Sequence, residues 1–134
     1  QERFEDINAH ERHLSRNGIV VLKIFLNVSK KEQQKRFLER LDKPEKHWKF
    51  SENDVLERRH WDEYMHAYEE MIRNTSTKHA PWYVIPADHK WFTRLAVAEV
   101  IVHALDALDL SFPKVGADRE KELKNARRAL KHES

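Results

Sequence analysis

The chain has 134 residues, enough for one domain with one core, and its 25 basic and 23 acidic residues nearly cancel. That balance excludes the global positive field of a dedicated nucleic-acid-binding tail, so any anion site must be local. Cysteine is absent and glycine occurs twice, at Gly18 and Gly116. Disulfides, thiol nucleophiles and zinc–thiolate sites are therefore excluded, and no GxxxxGK(S/T) or GxGxxG phosphate loop can be written. No apolar run approaches the ~20 residues of a membrane helix. The N-terminus shows no signal-peptide apolar region. A soluble, cytoplasmic chain with no membrane partner is expected.

Gln1–Arg16 is expected to be a helix with a modest apolar face of Phe4, Ile7 and Leu14, ended by Asn17-Gly18. His10 and His13 flank Glu11, but no third ligand suggests a metal site. Gly18–Val28 is nearly continuous in β-branched and large apolar residues, the pattern of a strand covered on both faces. The spacing places that strand at about 19–27. Lys23 interrupts the run and is expected to snorkel at the sheet edge.

Ser29 and Glu32 form a capping box opening a helix to about Leu41. Arg36 and Arg40 share one face of it, with Glu32 and Glu39 as candidate partners. Asp42–Phe50 is expected to be a loop carrying Lys43, Lys46, Trp48 and Lys49. Lys30–Lys49 holds eight Lys/Arg against four Asp/Glu, a local basic excess. A tryptophan in such a loop needs a core pocket or a flat partner.

Ser51 and Asp54 form a second capping box, with a helix expected to about Asn74. Its apolar stripe is Trp61, Tyr64, Met65, Tyr68 and Ile72. Arg58 lies on the same side, with Asp54 and Asp62 four residues away on either side. It is either held by those intrahelical pairs or braced by them toward an anion. Thr75–Ala80 is expected to be a turn. Pro81–Pro86 forms a short strand at about 82–86, with prolines at its ends.

Asp88 is expected to cap a helix to about Leu110, with Leu95, Ala98, Ile101, Val102, Leu105 and Leu108 on its buried face. Arg94 and Lys90 fall near its start, where ligands bind in α/β sheets, or else pair with Asp88. Lys114–Ser134 holds seven Lys/Arg and four Asp/Glu, and is either an appended helix over Asp118–Lys131 or a mobile tail. A helical crossover between the strands makes them parallel. Two strands do not make a stable parallel sheet, so self-pairing or a larger α/β domain is implied.

The run from EQQKRFLERLDKPEKHWKF to NTSTKHAPWYVIPADHKWFTRL, with KIFLNVSKKEQ before it, resembles the C-terminal half of the polyphosphate kinase type 2 family. The blocks cover about Asn17–Leu110. The resemblance implies an α/β, partial P-loop-kinase-like three-layer fold with a mostly helical remainder. It places the family part at 1–113 and a lid at about 30–74, leaving 114–134 as a basic tail. It further implies a Mg²⁺-dependent transfer of phosphoryl groups between polyphosphate and nucleotides such as ADP/ATP. By the same resemblance Arg36, Arg40, Lys46, Lys49, Arg58, Arg59 and Arg94 are positions for phosphate contact, and Trp48, Trp61 and Tyr64 for packing or base contact. The family's glycine loop and acidic metal motif belong to an N-terminal half that this sequence lacks. An isolated chain without catalytic residues, inactive alone and forming homo-oligomers, is then expected. Two further readings stand beside it: a polyanion or single-stranded nucleic-acid binding module, which the charge balance disfavours, and a self-associating helical domain.

Overall fold

The computed structural model describes residues 1–132. The chain divides into two units, Gln1–Val102 and His103–Ser134. In chain order the elements are α1 (Glu2–Arg16), β1 (Lys23–Asn27), α2 (Lys30–Asp42), a 3-10 segment (Pro44–Lys49), α3 (Glu52–Glu57), a second 3-10 segment (Arg58–His60), α4 (Trp61–Thr75), β2 (Trp82–Pro86), α5 (Lys90–Asp106) and α6 (Ala117–His132). Among the described residues no helix is long and apolar enough to cross a membrane.

The two strands are parallel, as the helical crossover requires, in a register that sets Lys23 opposite Trp82 and Asn27 opposite Pro86. β1 is shorter than the apolar run predicts. The ladder begins where β2 begins, so Ile19–Leu22 runs past its end without a neighbour to pair with. Side chains alternate across the sheet. Lys23, Phe25, Trp82 and Val84 share one face; Ile24, Leu26, Tyr83 and Ile85 share the other.

α1 ends as its sequence foretells. Gly18 has φ +79°, its N–H donates to Ser15 O at 3.1 Å, and the N–H of Ile19 donates to Leu14 O at 3.1 Å. This exit returns the chain to β1 beneath its own helix. There Lys23 does not snorkel at the edge. It is buried, and its Nζ donates to Glu11 Oε2 of α1 at 2.7 Å and to Thr75 O of α4 at 2.5 Å. The ammonium also lies 5.4 Å from the centre of the Trp82 ring. A desolvated ammonium needs such partners, and three elements are tied at this one atom. Thr75 completes the knot: its Oγ1 accepts from Trp82 Nε1 at 2.8 Å and donates to Met71 O at 2.6 Å. Asn8 of α1 donates to Asn74 O at 2.9 Å, and Phe25 packs on Tyr68 at 5.0 Å.

The long helix expected after Ser51 is two helices. α3 stops at Glu57, the tighter 3-10 segment follows, and α4 starts at Trp61. The Tyr64 hydroxyl donates to Glu57 Oε2 at 2.5 Å and so bridges that segment.

The expected buried face of α5 is not buried. Leu95 is 61% exposed and Val102 51%. Ile101, Leu105 and Leu108 are also exposed, as is Ala98. The helix stops at Asp106, four residues short of the expected end, and Asp109 then takes a positive φ of 46°. The tail forms a helix over Ala117–His132 with every residue exposed; Glu133 and Ser134 lie outside the described residues.

Candidate functional site

The excursion from Lys30 to His60, between β1 and α4, carries most of the predicted cations, and its root is clamped. Ser29 Oγ accepts the N–H of Glu32 at 3.1 Å, one half of the predicted capping box. The other half does not form. Ser29 N–H donates instead to Asp88 Oδ1 at 2.7 Å, and Glu32 Oε1 accepts from Arg36 Nε at 2.9 Å. Asp88 therefore serves α2 rather than α5. The Ser29 N–H, with smaller help from Arg36 and His89, holds its carboxyl below the usual carboxylate range. Arg36 Nη2 donates to Ala87 O at 2.7 Å and Asp88 O at 3.2 Å. One arginine thus fastens the start of α2 to the loop leaving β2.

Arg58 is fastened in the same manner. Neither Asp54 nor Asp62 holds it. Its Nη1 donates to Gln33 Oε1 at 2.5 Å and its Nη2 to Lys30 O at 2.8 Å, both on α2. A guanidinium fork reaches two acceptors at once, here on two residues of α2. Arg58 and Lys30 also flank Trp61, at 5.7 and 6.0 Å from the ring centre.

The remaining cations fall into two groups. Lys43 and Lys46 share Glu39 Oε1, at 2.9 and 2.8 Å. Their hydrogen bonds and charge push the Glu39 carboxyl down to about 2. Arg40, Lys49, Arg59 and Arg94 make no ion pair among the described residues. Arg40 lies over Phe37 at 5.5 Å and Lys49 over Trp48 at 4.7 Å. Arg59 and Arg94 are exposed, and Trp48 is 79% exposed. A cation stacked on a ring keeps its N–H donors free for an anion.

A cavity of about 470 Å³ opens between β1, α2, α3 and α4. Phe25, Phe37, Trp61, Tyr64, Met65 and Tyr68 give its apolar lining, with Gln33, Asp54, Glu57 and Arg58 as polar groups. Of the predicted site residues it gathers Arg58, Trp61 and Tyr64; Arg36, Arg40, Lys46, Trp48, Lys49, Arg59 and Arg94 do not line it. A second hollow of about 330 Å³ sits at the carboxyl ends of both strands, lined by Asn27, Ser29, Pro86, Asp88, His89 and Phe92. Ligands of α/β sheets bind at this end. The Asp88 carboxylate already occupies the start of α2 there.

Among the described residues no three His, Asp or Glu side chains gather where a metal ion could be held.

Sequence reasoning missed the roles of Glu11, of Asp88, which it took as the cap of α5, and of Gln33. The signal for Glu11 was present. It lies seven residues after Phe4, four after Ile7 and three before Leu14, so it occupies the apolar face of α1. A carboxylate there and a lysine inside an apolar strand are natural partners. Gln33 and Asp88 carry no comparable signal, because each acts through a contact distant in sequence.

The sequence model of the family described as Polyphosphate kinase 2 (PPK2) matches residues 1–113. The chain is 46% identical over 129 residues to the ADP-polyphosphate phosphotransferase of Rhodopseudomonas palustris, covering 96% of this chain and 45% of that protein. It is 58% identical over 132 residues to an uncharacterized protein of Leptolyngbya boryana, covering 98% of this chain and 97% of that one. The crystal structure of Polyphosphate Kinase 2 from Arthrobacter aurescens TC1 superposes with a TM-score of 0.87 at 45% identity, covering 99% of this chain and 45% of that chain. The chain thus spans under half the length of the relatives with a named activity, and its two parallel strands with their helices are part of a P-loop-kinase-like α/β fold. With the residues matched, the identities and the superposed fold in agreement, this chain belongs to the polyphosphate kinase 2 family.

Proposed function

We propose that this chain supplies the later portion of a polyphosphate:nucleotide phosphotransferase, with residues 30–74 acting as a lid over the phosphates. Residues 1–113 are the family portion and 114–134 an appended segment. The observation that carries this reading is the set of cations without a carboxylate partner, Arg40, Lys49 and Arg59, on an excursion rooted by Arg36 and Arg58. Phosphoryl transfer asks little covalent chemistry of a protein; it asks for positive charge placed around spread negative charge. Arg40, Lys49, Arg59 and Arg94 would contact phosphate oxygens, the arginines as planar forks. Arg36, Arg58 and Lys46, already engaged, would set the lid's position and join the phosphates as it closes. Closure excludes water and limits hydrolysis. Trp61 and Tyr64 would wall the nucleotide side, and Trp48 would offer a flat exposed face.

The substrates this reading takes are polyphosphate and ADP or AMP, the compounds that the relatives' names carry. The phosphate-cradling glycine loop and the Mg²⁺ ligands would come from the preceding portion of the domain, so this chain alone would not turn over. The test is ATP formation from ADP and long-chain polyphosphate. The chain alone should give none, and the same chain joined to the preceding portion of the R. palustris enzyme should give it. Turnover by the pure chain would overturn this division of labour.

A further inference from the structure

We propose that α6 carries a second polyanion site, a track of cations along one side of the helix that holds a stretch of long-chain polyphosphate. The choice of polyphosphate rests on the phosphotransferase reading above, whereas the site rests on α6 alone and on none of the lid residues.

The family model stops at residue 113, and α6 (Ala117–His132) lies beyond it. The helix is not uniformly basic. At 3.6 residues per turn, Lys121, Lys124, Arg128 and Lys131 recur on one side, and Arg127 adjoins them. Leu123, Ala126 and Leu130 fall on another side, with Arg119 and Glu122 beside them. Arg119 Nη1 donates to Glu122 Oε2 at 2.6 Å, so that pair is closed on itself. The cations of the track are all exposed and make no ion pair among the described residues. Of the acids in α6 only Glu120 shares their side, in the first turn.

A helix face built only for solvation intersperses its charges as opposite-sign pairs one turn apart. The helix dipole accounts for a cation in the last turn, such as Lys131. Its influence does not reach Lys121 or Lys124. The sorting of charge along this face is therefore left for a ligand to explain.

The shape of the track selects the ligand. From Lys121 to Lys131 it runs for about 15 Å, with a cation every ~3 Å of helix axis. An unbranched phosphate chain carries negative charge on every unit and can follow such a line. Lysines would meet it as point charges and arginines as planar forks. Single-stranded nucleic acid is held largely by bases stacked on aromatic rings. Residues 114–134 contain no Phe, Trp or Tyr. An anionic lipid surface asks for a broad apolar face with bulky anchors, which Leu123, Ala126 and Leu130 do not supply. A long chain spans the whole track and tripolyphosphate only part of it, so the site favours long chains.

The experiment titrates this chain with long-chain polyphosphate and with tripolyphosphate, followed calorimetrically at two salt concentrations. K124Q/R128Q/K131Q should weaken long-chain binding about tenfold, as three exposed charge contacts would, and make its salt dependence shallower. Tripolyphosphate affinity should change far less. The melting temperature should hold, because glutamine keeps the helix propensity of lysine and arginine. R3Q/R12Q/R16Q removes the same charge from exposed positions of α1 and should leave long-chain affinity nearly unchanged. Three results would overturn the proposal: long-chain affinity untouched by the α6 variant, an equal loss from the α1 variant, or a single-stranded oligonucleotide of equal charge held as tightly through the same α6 residues. Should R40A/R59A leave long-chain binding intact while the α6 variant weakens it, the lid reading falls and this one stands. The reverse pattern removes this one alone.

Discussion

Lys23→Met is expected to destabilise this chain by roughly 3–5 kcal/mol, the usual cost of removing one partner from a buried ion pair. The substitution nearly preserves volume, so lost packing contributes little. What remains is a Glu11 carboxylate with only 10% of its side chain exposed and no cation, and a Thr75 carbonyl without its donor. Whole domains of this size hold only ~5–15 kcal/mol, so much of the chain's stability is at stake. Urea unfolding followed by circular dichroism measures it. The double variant K23M/E11L should recover most of the loss, because replacing both charges by apolar groups is often neutral or better. A single variant as stable as the wild type would show that the pair does not tie α1, β1 and α4 together.

Arg36→Met is expected to cost about 1.5–3 kcal/mol, the range for hydrogen bonds to charged groups. Its side chain is 26% exposed, so solvent screens the Glu32 pair and most of the effect comes from the Ala87 and Asp88 carbonyls. Arg36→Lys should recover only part, since one ammonium does not reproduce a fork that spans Glu32 and two carbonyls. Thermal unfolding should show a drop of several degrees for Met and a smaller one for Lys. If Arg36→Met leaves the melting temperature unchanged, the root of α2 is not held by this residue, and its role is free to be phosphate contact alone.

How far the sequence foretold these contacts depends on their range. Ser29 capping Glu32, Gly18 ending α1 and the prolines bounding β2 are local events, readable within a few residues. The parallel strand pair followed from chain order and crossover chemistry. Glu32 was legible as a partner of Arg36, four residues away; the other acceptors of Arg36 and those of Arg58 were not, because Ala87 and Gln33 lie 51 and 25 residues away. Periodicity offered Asp54 and Asp62 for Arg58, and geometry chose Gln33 and the Lys30 carbonyl. Lys23 shows the same limit in the strand: the apolar run marked it as an interruption, while its buried partner sat on another element. On α5 the apolar residues were identified correctly, but burial needs a covering layer, and none of the described residues provides it. The cation-rich stretch was legible as composition. Which of its members are engaged and which are free emerged only from the contacts.

That last division is the centre of the account, and a polyphosphate titration tests it most directly. Binding of long-chain polyphosphate to this chain, followed calorimetrically at several salt concentrations, should be measurable and should weaken as salt rises. The double variant R40A/R59A removes two unpaired cations and no ion pair. It should bind about tenfold more weakly, ~1.4 kcal/mol, with an unchanged melting temperature. Equal affinity of wild type and double variant, or no binding at low salt, would contradict the claim that these arginines are held ready for a chain of phosphates.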